Sequence, residues 1–477
     1  MARPKDLSPA LLTLPRWGLR LSERRALLLA GDLLCALLAT LAALWLWTLT
    51  SGAHFSLAYL ADKAIWFIIQ VPGWALLSIP LYDLRRAAFW QMTLAGIGSS
   101  AGLAALLYLA AYFLAPPLLL PRLAGLYFIL GAAGLQWAWR MFYIRVLVSS
   151  YFRRRALVVG AGWGGETIIR TLRELHGWQY EIVGLIDDDT GKHGRVIQGV
   201  PVLGDHTRLL AEARRREVSD LIFAITGEVQ GGMFQALLDC QAHGIAVVRA
   251  LRLYEEVTGR VPIEHLKIDW LVSSFVERVR LDPAYLLTKR LVDLLSTAAG
   301  LALLVALTPV IALAIRLEGP GPIFYRQVRL GLGGQPFKVV KFRTMRPDAE
   351  QDGAARWATA QDSRITRVGR FLRRTRLDEL PQFVNILKGE MSLIGPRPER
   401  PEFTALLEQK LPFYRTRLLV KPGLTGWAQV NYGYGNTVAD ALVKLQYDLY
   451  YIKHQVWWME IAILIRTVET VLGMKGT

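Results

Sequence analysis

Leu294-Leu295-Ser296-Thr297-Ala298-Ala299-Gly300-Leu301-Ala302-Leu303-Leu304-Val305-Ala306-Leu307-Thr308-Pro309-Val310-Ile311-Ala312-Leu313-Ala314-Ile315 runs without a charge. As a helix it would be about 33 Å long, enough to cross a bilayer. Two observations point to a helix that enters and returns instead. Thr308-Pro309 falls inside the run, where proline removes a backbone donor and bends the helix. A full crossing would also carry residues 316–477 outward, although 16 Lys or Arg stand between Arg326 and Arg400 against 8 Asp or Glu. The positive-inside tendency opposes that. We therefore expect a re-entrant helix over 288–316, broken at Thr308 and Pro309.

Upstream, residues 1–150 read as a membrane module with apolar stretches near 27–49, 56–81, 89–115 and 123–148. Arg16, Arg20, Arg24, Arg25, Arg85, Arg86 and Arg153 to Arg155 mark one side of it, and the loops near 50–55 and 116–121 lack Lys and Arg. That asymmetry places both ends of the module in the cytoplasm. The second stretch is the weakest, interrupted by Asp62, Lys63 and Pro72. The first lies too far from the start, and has too little of a small-residue cleavage pattern, for a signal peptide.

Residues 151–280 alternate strand and helix patterns. Ala156-Leu157-Val158-Val159 reads as a buried strand, followed by Gly160-Ala161-Gly162-Trp163-Gly164-Gly165 with G-x-G-x-x-G spacing. Ile182 to Ile186 is the next strand and ends in Asp187-Asp188-Asp189, where a ribose-binding acid is expected. Gly160, Gly162, Gly165 and Asp187 are thus nucleotide-binding candidates in a Rossmann-like sheet, although the fold alone does not establish a bound dinucleotide. Tyr285 and Lys289 have the Tyr-x-x-x-Lys spacing of short-chain dehydrogenases, but at the edge of an apolar helix they read as interfacial anchors.

Downstream, four short runs carry the chemistry. Lys341-Phe342-Arg343 follows a strand-like segment. Arg373-Arg374-Thr375-Arg376-Leu377-Asp378-Glu379 sets two carboxylates in the most arginine-dense part of the chain. Gly395-Pro396-Arg397-Pro398 fixes an arginine between prolines, and Lys421 to Asn431 is a glycine-punctuated loop. A carboxylate can accept a phosphoryl group covalently, its neighbour can hold Mg²⁺, and guanidinium groups can neutralise phosphate oxygens. By itself, an Asp-Glu pair at a helix start is also an ordinary solvated feature. The companion cations turn the reading toward phosphate chemistry.

At these residues the sequence resembles the bacterial polyprenyl-phosphate hexose-1-phosphate transferases, in their large form. The resemblance implies an α-helical membrane bundle of four helices over 1–150. It further implies an α/β Rossmann-like domain over 151–280, and a mainly α catalytic domain with a re-entrant membrane helix over 281–477. It implies Asp378 as nucleophile and Glu379 as its Mg²⁺-associated partner. Lys341, Arg373 and Arg397 become phosphate contacts, and Asp448 a further acidic site position. One departure stands out: Tyr432-Gly433-Tyr434-Gly435-Asn436 replaces an Asn-Gly-Arg-Asn run found in many members.

The implied reaction moves a hexose phosphate from a UDP-sugar, with UDP-glucose or UDP-galactose foremost, to undecaprenyl phosphate. It would be the first membrane step of surface polysaccharide synthesis, at the cytoplasmic face of a bacterial inner membrane, by a multi-pass protein expected to form a homodimer. Hydrophobic content of 53% fits membrane insertion, and a net charge of +17 fits anionic lipid or phosphorylated substrates. No recognition-helix, finger or RNA-binding pattern supports a nucleic-acid partner. Two cysteines, Cys35 and Cys240, give neither a disulfide framework nor a metal site. Two other classes stay open: a membrane-tethered NAD-dependent nucleotide-sugar dehydratase or epimerase using the Gly160 loop, and a nucleotide-sensing scaffold.

Overall fold

A computed structural model describes residues 19–472, apart from 53, 115–121, 149–151, 175–179, 264–281, 348, 350–361, 434 and 436. The chain forms two compact units, Met1–Val257 and Thr258–Thr477. The sequence reading set this boundary near 280. Val261 and Ile263 are instead buried in the apolar core built around Ile394, Trp427 and Leu449.

In the first unit, α1 (Leu21–Ser51) begins with the Glu23 carboxylate accepting from the Arg20 backbone N–H and ends at Gly52 with φ of 72°. The second predicted span is not one helix. Leu57–Asp62 and α2 (Ala64–Leu77) are separated at Lys63, and a 3₁₀ turn, Ile79–Tyr82, follows. The charge pair at Asp62 and Lys63 sits where the helix breaks. α3 (Trp90–Leu114) and α4 (Arg122–Phe142) complete the bundle. α4 turns Gln136 and Arg140 inward, where Arg140 meets Asp32 at 2.6 Å with both side chains fully buried.

By length and composition, three helices among the described residues could cross a membrane. They are α1, α3 and a helix of the second unit, so two of the four predicted spans qualify.

The rest of this unit is built on a four-stranded parallel sheet. Its strands are β1 (Arg154–Val159), β2 (Tyr180–Ile186), β3 (Asp220–Phe223) and β4 (Ala246–Arg249), in the order β2-β1-β3-β4. β1 is central, which is why Ala156 to Val159 are apolar on both faces and fully buried.

The second unit opens with α5 (Pro283–Glu318), capped by Asp282, whose carboxylate accepts from Ala284 N. The break expected at Thr308 and Pro309 is absent: the helix runs on through Pro309, because only one backbone donor is lost there, and the Thr308 hydroxyl donates back to Leu304 O at 2.6 Å, a bond that favours bending. One face packs along its whole length: Tyr285, Asp293, Thr297, Gly300, Ile311 and Ile315 are buried, at helical spacing. Asp293 accepts from Ser392 Oγ and Leu393 N, while Ile311 and Ile315 pack on Phe342 and Leu372. Both halves therefore rest on one body, and the outer face shows Leu295, Val305, Val310 and Leu313. An antiparallel hairpin of β5 (Phe324–Leu330) and β6 (Pro336–Phe342) follows, then α6 (Arg367–Arg374), α7 (Val438–Lys453) and α8 (Trp457–Leu472).

Candidate active site

The carboxylate pair lies on a 3₁₀ turn, Leu377–Gln382, immediately after Arg376, which holds φ of 59°. A positive φ is uncommon for a residue with a side chain, so the turn is held by its surroundings. Leu377 and Leu380, flanking the acids, join the apolar cluster of Leu304, Leu307, Ile311 and Ile315. The segment around Thr308 and Pro309 thus lies directly behind the acids.

Three further contacts fix the frame. Asn385 Nδ2 donates to Lys338 O at 2.8 Å while its Oδ1 accepts from Val340 N, clamping β6 and hence Lys341. Ser392–Ile394 pairs in parallel with Gly423–Thr425, which aims the Pro-Arg-Pro turn. Arg417 Nη2 holds Arg397 O at 2.9 Å.

The two acids differ sharply in circumstance. Glu379 Oε1 accepts from Arg397 Nη2 at 2.6 Å and Lys341 Nζ at 3.0 Å, and Oε2 receives Arg376 Nη1 at 3.4 Å. Burial pushes the Glu379 carboxyl up, but Arg397, Lys341 and Arg376 outweigh it and hold the carboxyl well below its ordinary value. Asp378 receives no hydrogen bond or ion pair among the described residues. Burial, reinforced by the Glu379 charge, pushes it up to about 6 against the pull of Lys341, Arg373 and Arg397. Burial also lowers Lys341 despite Glu379.

Of the predicted phosphate contacts, Lys341 and Arg397 meet at Glu379. Arg373 acts on Asp378 through its charge while its Nε binds Thr344 Oγ1 at 3.0 Å. Asp448 lies across a cavity of about 360 Å³ lined also by Arg376, Arg397 and Lys444. It accepts from Arg417 Nε at 2.8 Å. Burial raises the Asp448 carboxyl although Arg417 pulls it down.

The glycine-punctuated loop is mostly framework. Trp427 stacks on Tyr450 and donates to Gly259 O at 2.9 Å, leaving Gln429 and Asn431 at the cavity. Tyr434 and Asn436 of the departing run lie outside the described residues. Sequence reasoning missed Arg376, Asn385 and Arg417. Only Arg376, adjacent to the acids, carried any local signal.

Asp378 and Glu379 suit Mg²⁺ in one respect. Mg²⁺ takes one or two carboxylates and draws its other ligands from phosphates and water. Glu379 Oε2, with one long contact, keeps a lone pair for it. No cluster of three or more His, Cys, Asp or Glu among the described residues forms a self-sufficient metal cage.

The first unit holds the other candidates. Asp187 Oδ2 accepts from Ala161 N at 2.6 Å and Oδ1 from Asp189 N at 2.9 Å, with Lys192 beside it. Burial raises this carboxyl, but the Asp189 and Ala161 amides and Lys192 bring it below its ordinary value. Gly160 has φ of 106°. A side chain at Gly165 would collide with Gly160 O, whereas Gly162 faces open space. Two of the three loop glycines thus have roles internal to the fold. Tyr285 and Lys289 prove to be an internal tie: Tyr285 is buried, and both donate to Glu460.

A buried carboxyl with a raised pKa thus stands beside one locked by cations, against the apolar cluster of α5. Residues 284–474 match the bacterial sugar transferase family, and residues 81–248 match the CoA-binding domain family. The UDP-glucose:undecaprenyl-phosphate glucose-1-phosphate transferase of Escherichia coli (strain K12) is 45% identical over 331 residues, 67% of this chain and 68% of that protein. The UDP-N-acetylgalactosamine-undecaprenyl-phosphate N-acetylgalactosaminephosphotransferase of Aeromonas hydrophila is 40% identical over 249 residues, 52% of this chain and 57% of its own length. A UDP-glucose:undecaprenyl-phosphate glucose-1-phosphate transferase of Xanthomonas campestris pv. campestris is 36% identical over 288 residues, covering 58% of each chain. The chain belongs to the bacterial sugar transferase family. It spans a little over half the length of the Aeromonas and Xanthomonas relatives.

Proposed function

We propose that this protein transfers a hexose phosphate from a UDP-sugar to undecaprenyl phosphate and releases UMP, through a covalent intermediate on Asp378. The observation that carries the reading is the division of labour between the acids. Glu379 is held by Lys341, Arg376 and Arg397, while Asp378 is buried, without such a partner and close to titration. An Asp378 oxygen attacks the sugar-bearing phosphorus. The bond from that phosphorus to the bridging oxygen breaks, and the bridging oxygen leaves with UMP. An oxygen of the lipid phosphate then attacks the same phosphorus, forming a diphosphate and returning Asp378 as a carboxylate.

Lys341 and Arg397 screen the phosphate oxygens as two anions approach, and Arg373 supports the charge on Asp378. Glu379, together with substrate phosphates, would hold Mg²⁺, which supplies further charge neutralisation when bound. The sugar is a hexose, and UDP-glucose and UDP-N-acetylgalactosamine head the panel because relatives bear those names.

The packing of both halves of α5 on one body supports a helix that dips into the cytoplasmic leaflet and returns, setting Asp378 at the depth of the lipid phosphate. The deciding experiment mixes enzyme, UDP-sugar and Mg²⁺ without lipid. One equivalent of UMP and a hydroxylamine-labile phosphosugar on the protein are expected. UMP release that waits for undecaprenyl phosphate would instead establish a one-step reaction.

A further inference from the structure

Outside the cavity, the end of α5 and the whole of α6 gather a cationic and aromatic face. α6 buries Gly369 and Leu372, and Val368 and Leu372 pack against Ile311 and Ile315 of α5. Arg367, Arg370, Phe371 and Arg374 are left exposed at spacings of i, i+3, i+4 and i+7, one stripe of the helix. Phe371 is 57% exposed in the middle of the arginines. Val368 N donates to Glu318 Oε1 at 2.9 Å, which joins this helix to the last turn of α5, where Arg316 is exposed beside Leu313 and Leu317. Among the described residues none of these four arginines has an ion-pair partner, and Glu318 is the carboxylate at the junction.

Guanidinium groups bind phosphodiester oxygens through parallel N–H donors, and each cation near an anionic bilayer surface adds to the attraction. An aromatic ring among them can enter the headgroup boundary. Continuity with the apolar outer face of α5 fixes the direction from which lipid arrives. We propose that Arg316, Arg367, Arg370, Phe371 and Arg374 form a docking surface for anionic phospholipid headgroups. It sits beside the helix that backs Asp378 and holds the mouth of the site at the membrane plane. The proposal rests on the membrane-face reading of α5 given above, yet its test reads lipid retention and not turnover.

The full chain, purified in neutral detergent, is equilibrated with equal amounts of phosphatidylglycerol and phosphatidylcholine, repurified, and its retained lipid counted by mass spectrometry. Wild type should retain roughly fivefold more phosphatidylglycerol. The variant Arg367→Gln/Arg370→Gln/Arg374→Gln should approach parity at an unchanged thermal midpoint, and the corresponding triple Lys variant should recover most of the preference. If the triple Gln variant does not fold, Arg370→Gln and Arg374→Gln singly should each lose part of it. A wild type without preference, or Gln variants that keep it, would overturn the surface. So would complete displacement of the lipid by inorganic phosphate, which would indicate a soluble-anion site. Failure of the transferase reading would show as absent UMP release and leave this retention untouched.

Discussion

Lys289 donates to Glu460 Oε2 at 2.6 Å across 171 residues of sequence. Glu460 Oε1 also accepts from Tyr285 and Tyr451, each at 2.7 Å, so one carboxylate ties the start of α5 to both terminal helices. Removing it leaves a poorly exposed ammonium without its counter-charge and the buried Tyr285 hydroxyl without its acceptor, while Tyr451 keeps Ile394 O at 3.3 Å. Glu460→Ala should cost about 3–5 kcal/mol and lower the thermal midpoint in detergent by roughly 10 °C. Tyr285→Phe should cost only about 1 kcal/mol and leave UMP release intact, since the hydroxyl is structural. Loss of turnover in folded Tyr285→Phe would revive the dehydrogenase-like role.

The raised Asp378 carboxyl sets a pH limit on the chemistry. The acid is neutral below about 6, and a neutral carboxyl is a poor nucleophile, whereas Glu379 stays ionised far lower. The value of kcat/KM for UMP release should therefore be level above that point and fall toward tenfold per unit below it. A profile that stays flat down to about pH 5 would mean that Asp378 does not titrate as the attacking group.

Local motifs were readable because they are contiguous. The Asp378-Glu379 pair, the Pro-flanked Arg397 and the Gly160 loop each occupy a few residues. Legibility ended where the fold joins distant ones. Arg417 meets Asp448 across 31 residues, and Tyr285 meets Glu460 across 175. Nor could neighbouring positions reveal that Glu379 is paired with Lys341, Arg376 and Arg397 while Asp378 has no ion-pair partner among the described residues, because that depends on where β6 and the Arg397 turn come to rest. The second span reads as the weakest in the sequence because of Asp62, Lys63 and Pro72, and its helix does break at Lys63, while α2 continues through Pro72.

Asn385 is a position the sequence left silent. Its amide clamps β6 at Lys338 and Val340, one residue from Lys341, the proposed phosphate contact. Asn385→Ala should remove about 1–3 kcal/mol of stability and reduce kcat for UMP release by roughly tenfold, by loosening the lysine. Asn385→Asp loses the donor while keeping the shape, and should show the same loss. Unchanged kcat with lowered stability alone would limit Asn385 to the scaffold.

Where the catalytic unit begins can be decided by truncation. The proposed reacting groups all lie in Thr258–Thr477, so a fragment starting at 258 should release UMP in detergent. A fragment starting at 281 lacks Val261 and Ile263, which are 0% and 1% exposed, and the carbonyl of Gly259 that receives the Trp427 indole. Burying two such side chains contributes about 3–6 kcal/mol, and an orphaned indole donor adds about 1–3. The shorter fragment should therefore melt well below the longer one, or fail to fold, and lose turnover with it. Val261→Ala/Ile263→Ala in the full chain should reproduce part of that loss, about 2–4 kcal/mol, without altering the pH profile of UMP release. Equal stability of the two fragments would return the boundary to 280. A folded, wholly inactive 258–477 fragment would place an essential group in the first unit, and the Gly160 loop with Asp187 would be the first place to look.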